Sequence, residues 1–267
     1  MSCPSPGNCG AAGWYQGGPE SGNEPFVVNQ HNGRWETAIE VPGIAALNVA
    51  DDSRAFTISC ASAGNCVAGG NYVDADSRTE AFVASAKWQA FVVTERNSRW
   101  GNAQPVLPTP SIADNVPGAA GVESVSCPPV GGCTASGNFL DRSGRLEAFV
   151  VSQRKGKWGT AVTIRGIGAL NGGGAVDALS VSCLSAGNCA VGGFYTGRHG
   201  HAQAFVANER NGRWDNATEV PGFGRLNRSG DGAVFSVSCA AIGQCSAGGI
   251  YKSHGRHQAF VVSQTGK

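Results

Sequence analysis

A chain of 267 residues carrying 20 basic and 19 acidic side chains, formal charge +1, offers no electrostatic footprint for nucleic acid or for a charged membrane surface. Forty glycines against a single methionine, with an ordinary apolar fraction, exclude a helical bundle and a disordered chain and suit short strands joined by tight turns. No run of 18 apolar residues is present, so no helix is expected to span a bilayer.

The ten cysteines fall into five pairs, each six positions apart: 3 and 9, 60 and 66, 127 and 133, 183 and 189, 239 and 245. Four residues after each second cysteine stands a glycine (13, 70, 137, 193, 249), and six after it an aromatic (Tyr15, Tyr72, Phe139, Tyr195, Tyr251). A Cys-x5-Cys pair supplies only half of a tetrahedral zinc site, and no Cys or His recurs to complete it. The pairs are therefore read as disulfides, Cys3–Cys9, Cys60–Cys66, Cys127–Cys133, Cys183–Cys189 and Cys239–Cys245, and the compartment as oxidising. Met1-Ser-Cys lacks the charged and apolar regions of a signal peptide. Secretion is thus expected either after removal of a leader or as part of a longer chain.

In chain order the units span approximately 1–48, 49–115, 116–171, 172–227 and 228–267, in one domain covering 1–267. Each reads as four strands, clearest in the fourth unit: Asp177 to Cys183, Cys189 to Tyr195, Ala202 to Arg210 and Arg213 to Val220. Asn32-Gly33 and Asn211-Gly212 accept the positive φ angles of a type I′ turn, which joins strands three and four. No helical pattern is visible. Around that turn Phe26 and Trp35, Phe91 and Trp100, Phe149 and Trp158, and Phe205 and Trp214 are each nine residues apart, and these tryptophans are read as packing residues. A four-stranded unit cannot bury both of its faces alone, so each must stack on its neighbours. The fold expected is all-β, a five-bladed β-propeller of four-stranded antiparallel blades with one disulfide in each. Its first inner strand is cut short and its last blade lacks the Trp strand. That leaves an edge for a partner chain or a second protomer to cover.

The pattern Ser-Cys…Gly-x-Cys…Gly-x-Tyr…Ala-Phe-Val…Asn-Gly-x-Trp, running through almost the whole chain, resembles secreted bacterial Cys-paired β-propeller repeats. The architecture resembles that of five-bladed lectins of the tachylectin-2 type. The resemblance implies a binding scaffold with a glycan or another small polar ligand as its partner and no cofactor. The blade signatures differ, so no lectin's sugar-contacting residues transfer to this chain.

Candidate sites lie where a unit departs from its own rule. The second unit carries two Ala-Phe-Val segments nine residues apart, and the extra residues bring Trp88, which has no counterpart. Trp88 is either a platform for the apolar face of a sugar ring or a cap folded over the blade edge. Glu123 replaces the Phe56, Leu179 and Phe235 of the other units, and either faces a water-filled funnel or pairs with a cation such as Arg54. Asn48, Asn171 and Asn227, one per loop between units, are ligand contacts or ties to loop backbone. His199, His201, His254 and His257 offer a poorly preorganised metal site or solvated loops, and His31 stands alone. Catalysis would need two carboxylates at the channel mouth, Glu123 with Asp177 or Asp231. Three functions follow: carbohydrate binding, protein docking or structure within a larger secreted protein, and glycoside hydrolysis.

Overall fold

The computed structural model describes residues 1–18, 22–48, 52–75, 86–106, 120–141, 143–228 and 230–264. They form five antiparallel sheets, one for each cysteine pair. Each begins with a strand that leads into the cysteine hairpin: Ser2–Ser5, Ser53–Ser62, Ala120–Ser126, Val176–Ser185 and Ala233–Ala241. The second strand returns (Asn8–Gln16, Asn65–Ala75, Thr134–Leu140, Asn188–Thr196, Gln244–Ser253), and a third follows it (Asn23–His31, Ala86–Arg96, Leu146–Arg154, Ala202–Arg210, Arg256–Ser263). The order is a meander, as expected. All five cysteine pairs are bonded, which suits an oxidising compartment. No described helix is long and apolar enough to cross a membrane.

Three details differ from the sequence expectation. The fourth strand is broken into two short pieces, Arg213–Trp214 and Thr218–Glu219 in the fourth sheet, both paired to the same third strand. The Asp215-Asn216 step carries the chain out of register between them. Single helical turns, Ile44–Ala46, Ile167–Leu170 and Phe223–Leu226, stand in the loops between sheets, too short to leave a periodic signature. Finally, the added residues of the second unit lengthen strands two and three to eleven residues each. The Trp88 backbone pairs with Val73 in that hairpin, while its side chain and the tip at 76–85 lie outside the described residues.

The turns behave as their sequences require. Asn32-Gly33 and Asn211-Gly212 both take positive φ, and Asn97-Ser98 and Lys155-Gly156 adopt the same conformation with less suitable residues. The recurring glycine of strand two has a stricter cause. A Cβ at Gly70, Gly137, Gly193 or Gly249 would collide with the carbonyl oxygen of Arg54, Gly121, Asp177 or Ala233 respectively, because the first strand bulges over it.

Packing is between sheets. A core of Val27, Ile58, Ala68, Tyr72 and Phe91 lies between the first and second, and one of Val67, Val92, Val122, Phe139 and Phe149 between the second and third. Val150, Val181, Val191, Tyr195 and Phe205 fill the next, and Phe223, Val234, Val237 and Ala247 the last. Each fully buried phenylalanine is worth about 1.5–3 kcal/mol by transfer from water. The first strands are also stitched together. The amides of Val125 and Cys127 donate to Thr57 Oγ1 (3.2 Å) and Ser59 Oγ (3.0 Å), those of Val181 and Cys183 to Ser124 and Ser126, and those of Val237 and Cys239 to Ser180 and Ser182. The serines that alternate with valine before each first cysteine are therefore hydrogen-bond acceptors as well as small spacers.

Among the described residues the outer faces of the first and fifth sheets are left largely exposed. Val261 faces outward on the fifth sheet and is 78 % exposed, where the equivalent Val27, Val92 and Val150 are at 0–1 %. On the first sheet Tyr15 is 46 % and Trp35 47 % exposed, although Tyr72 and Tyr195, their units' equivalents of Tyr15, are buried against a preceding sheet. Among the described residues the fifth sheet has three strands, in keeping with the sequence expectation of no Trp strand.

Candidate functional site

The bulge that forces glycine into strand two also creates the most distinctive surface of the protein. In the second, third and fifth sheets the pairing register slips by one residue at the same place, between Ala55 and Thr57, Val122 and Ser124, and Val234 and Ser236. In the fourth sheet it slips between Asp177 and Ser180. A bulge re-aims the side chain it carries. The re-aimed residues are Phe56, Glu123, Leu179 and Phe235, the position at which the units disagree. Phe56 and Phe235 stay substantially exposed, so this row lines an open surface rather than the core.

Around Glu123 the surface is polar. Asn138 Nδ2 donates to Glu123 Oε1 at 3.3 Å, and Asn71 lies beside Gly121 on the neighbouring sheet, close to the same carboxylate. Asp177, buried on the fourth sheet, completes the group. Burial pushes its carboxyl from 3.8 up to about 6, with the Asn138 amide opposing and the Glu123 charge adding. Burial likewise raises Glu123 above its ordinary value, against the Asn138 hydrogen bond. Asp177 Oδ1 and Asn71 Oδ1 are buried without a hydrogen-bond partner, an arrangement that native proteins rarely leave unused. Beside the polar group Trp14 packs edge-on against Phe56, with centroids 5.8 Å apart at 77°, and both rings remain partly open to solvent.

Of the residues singled out in the sequence, Glu123 and Asp177 thus come together, and the partner of Glu123 is Asn138, while Arg54 pairs with Asp52 at 3.4 Å. Asp231 is engaged elsewhere, with His257 at 2.7 Å. Asn48 and Asn227 are buried and serve the loops. Asn48 donates to Ser53 Oγ and accepts from the Asp52 and Val73 amides. Asn227 donates to the Ala202 carbonyl and Gln203 Oε1 and accepts from the Asp231 and Lys252 amides. Asn171 donates to the Gly174 carbonyl, with its own oxygen unpartnered. His254 contacts Ser253, and among the described residues no three His, Cys, Asp or Glu side chains gather as metal ligands.

Asn71, Asn138, Trp14 and Phe56 escaped the sequence reading. Aligning the units at strand two would have found the asparagines, because Trp14, Phe194 and Ile250 occupy that position elsewhere. Also missed were Glu95 and Glu209, buried where other units have Gln30, Gln153 and Gln264. They line clefts of about 370 and 440 Å³ at the cysteine-hairpin end, between the second and third and the third and fourth sheets. Burial raises both carboxyls, and Asn29 holds Glu95 at 2.8 Å. Gln153 and Lys155 line both clefts, and no aromatic residue is among the lining residues. No protein-family model matches the chain, and no curated protein is similar to it in sequence.

Proposed function

We propose that the five sheets are blades of a β-propeller, with their first strands toward a common axis and the ring left open between the fifth and first sheets, and that this secreted protein binds carbohydrate on the bulge surface. The observation that carries the reading is the cluster Asn71, Glu123, Asn138 and Asp177, with buried unpartnered acceptors, set beside the exposed Trp14–Phe56 pair. Sugars present hydroxyl donors on their edges and an apolar C–H face. Carboxylates and amides bind the first, and an aromatic ring stacks on the second, contributing about 0.5–1.5 kcal/mol beyond its area. A glycan array followed by calorimetry tests it. Trp14→Ala and Glu123→Gln are each expected to weaken the best glycan tenfold or more, and absence of binding to any glycan rejects the reading.

A second reading rests on Asp177 alone. A carboxyl held near 6 beside another carboxylate suits a general acid in glycoside hydrolysis, with Glu123 as base or nucleophile. Polysaccharide turnover lost in both Asp177→Asn and Glu123→Gln, with glycan binding retained, would establish it over simple binding.

A further inference from the structure

We propose that the two outward faces of the array bind each other between copies of this chain, the fifth sheet of one copy seating on the first sheet of the next. The warrant is the interface that the chain already makes four times. In each internal case the earlier sheet presents a valine of its third strand (Val27, Val92, Val150, Val206). The later sheet answers with the aromatic of its second strand: Tyr72, Phe139, Tyr195 and Tyr251 in turn. Trp100, Trp158 and Trp214 pack onto the first three of those interfaces. The fifth sheet presents Val261 and the first sheet Tyr15 and Trp35, exposed by 78, 46 and 47 %. Exposed apolar residues gathered on one face mark an interaction surface rather than scattered surface side chains.

Part of the polar half of the code is present as well. Ser236 and Ser238 stand at the positions from which Ser180 and Ser182 accept the next sheet's amides, and both are exposed. On the first sheet Ser2 already accepts the Cys60 amide at 3.0 Å, which places Cys3 at the matching receiving position. The two faces therefore fit each other and neither fits itself. Such a heterologous contact repeats from copy to copy until it closes or extends. It does not depend on carbohydrate binding, and either idea can fail without the other.

Light scattering after size-exclusion chromatography tests it, over a range of concentrations. The wild-type chain is expected to run at the mass of two or more copies. Val261→Asp and Tyr15→Asp, both at exposed positions, should each run as single copies with unchanged circular dichroism, and Trp35→Ser serves in place of Tyr15→Asp if that variant misfolds. An equimolar mixture of the two variants should form a species of two copies and no larger, since each retains the face the other has lost. A wild-type chain that stays single throughout overturns the proposal, as do variants that still self-associate or a mixture that does not pair.

Discussion

Asn227 and Asp177 are both polar side chains withdrawn from water, and they end in opposite conditions. Asn227 uses every polar atom: two acceptors take its amide protons and two backbone amides reach its oxygen. Asp177 keeps one oxygen buried and unpartnered, with a second carboxylate, Glu123, and the Asn138 amide close by. A saturated buried group rigidifies what surrounds it, whereas an unsatisfied one costs stability wherever it stands. Asn48 and Asn227 tie the loops to the sheets, and the bulge cluster is maintained at the expense of stability, which is why we place the ligand there.

The contrast can be broken in three ways, beginning with the largest effect. Asn227→Ala should destabilise the protein by about 3 kcal/mol, because a buried carbonyl and two amides lose their partner together. Asn171→Ala, which removes one hydrogen bond, should cost about 1 kcal/mol. Equal losses in denaturant melts of the two variants would show that saturation is not what matters.

Acidity probes the other side. The folded-state value of Asp177, about 6, lies above its ordinary 3.8, so the native state holds the extra proton and stability falls as pH rises from about 4 to 6. The loss from this group is about 2–3 kcal/mol, and Asp177→Asn should remove it. A shallower slope of the same sign should remain, since burial raises Glu95, Glu123 and Glu209 too. Unfolding midpoints measured at intervals between pH 4 and 7 decide this. The smallest effect is expected at Glu123→Gln, which keeps the volume and an acceptor for Asn138. Its stability should stay within about 0.5 kcal/mol of wild type, even as glycan affinity drops. A large destabilisation there would make Glu123 a structural residue.

Much of this organisation was legible before any coordinates. Cysteine spacing revealed the number of sheets and Asn-Gly steps located turns, because each reflects a constraint within a few residues of sequence. The bulge was not legible, since a one-residue slip leaves the alternation of Thr57, Ile58 and Ser59 intact. The sequence named Asp177 and Asp231 as alternative partners of Glu123 but could not choose between them, because Glu123 and Asp177 sit on different sheets and are joined through Asn138. The loop asparagines stayed ambiguous for a related reason. Repetition signals importance equally well whether a side chain serves the fold or a ligand, and only their partners tell the two apart.

The hydroxyl-to-amide stitching has one more consequence. Ser126 reaches Cys183 and Ser182 reaches Cys239 across the same span of 57 residues, so these two seams are built alike. An arrangement of this kind tolerates deletion or duplication of a whole module cut at matching points, because the new neighbours meet through a junction the molecule already possesses. Such a lineage can change its number of modules through recombination alone, with no fresh side chains required at the join.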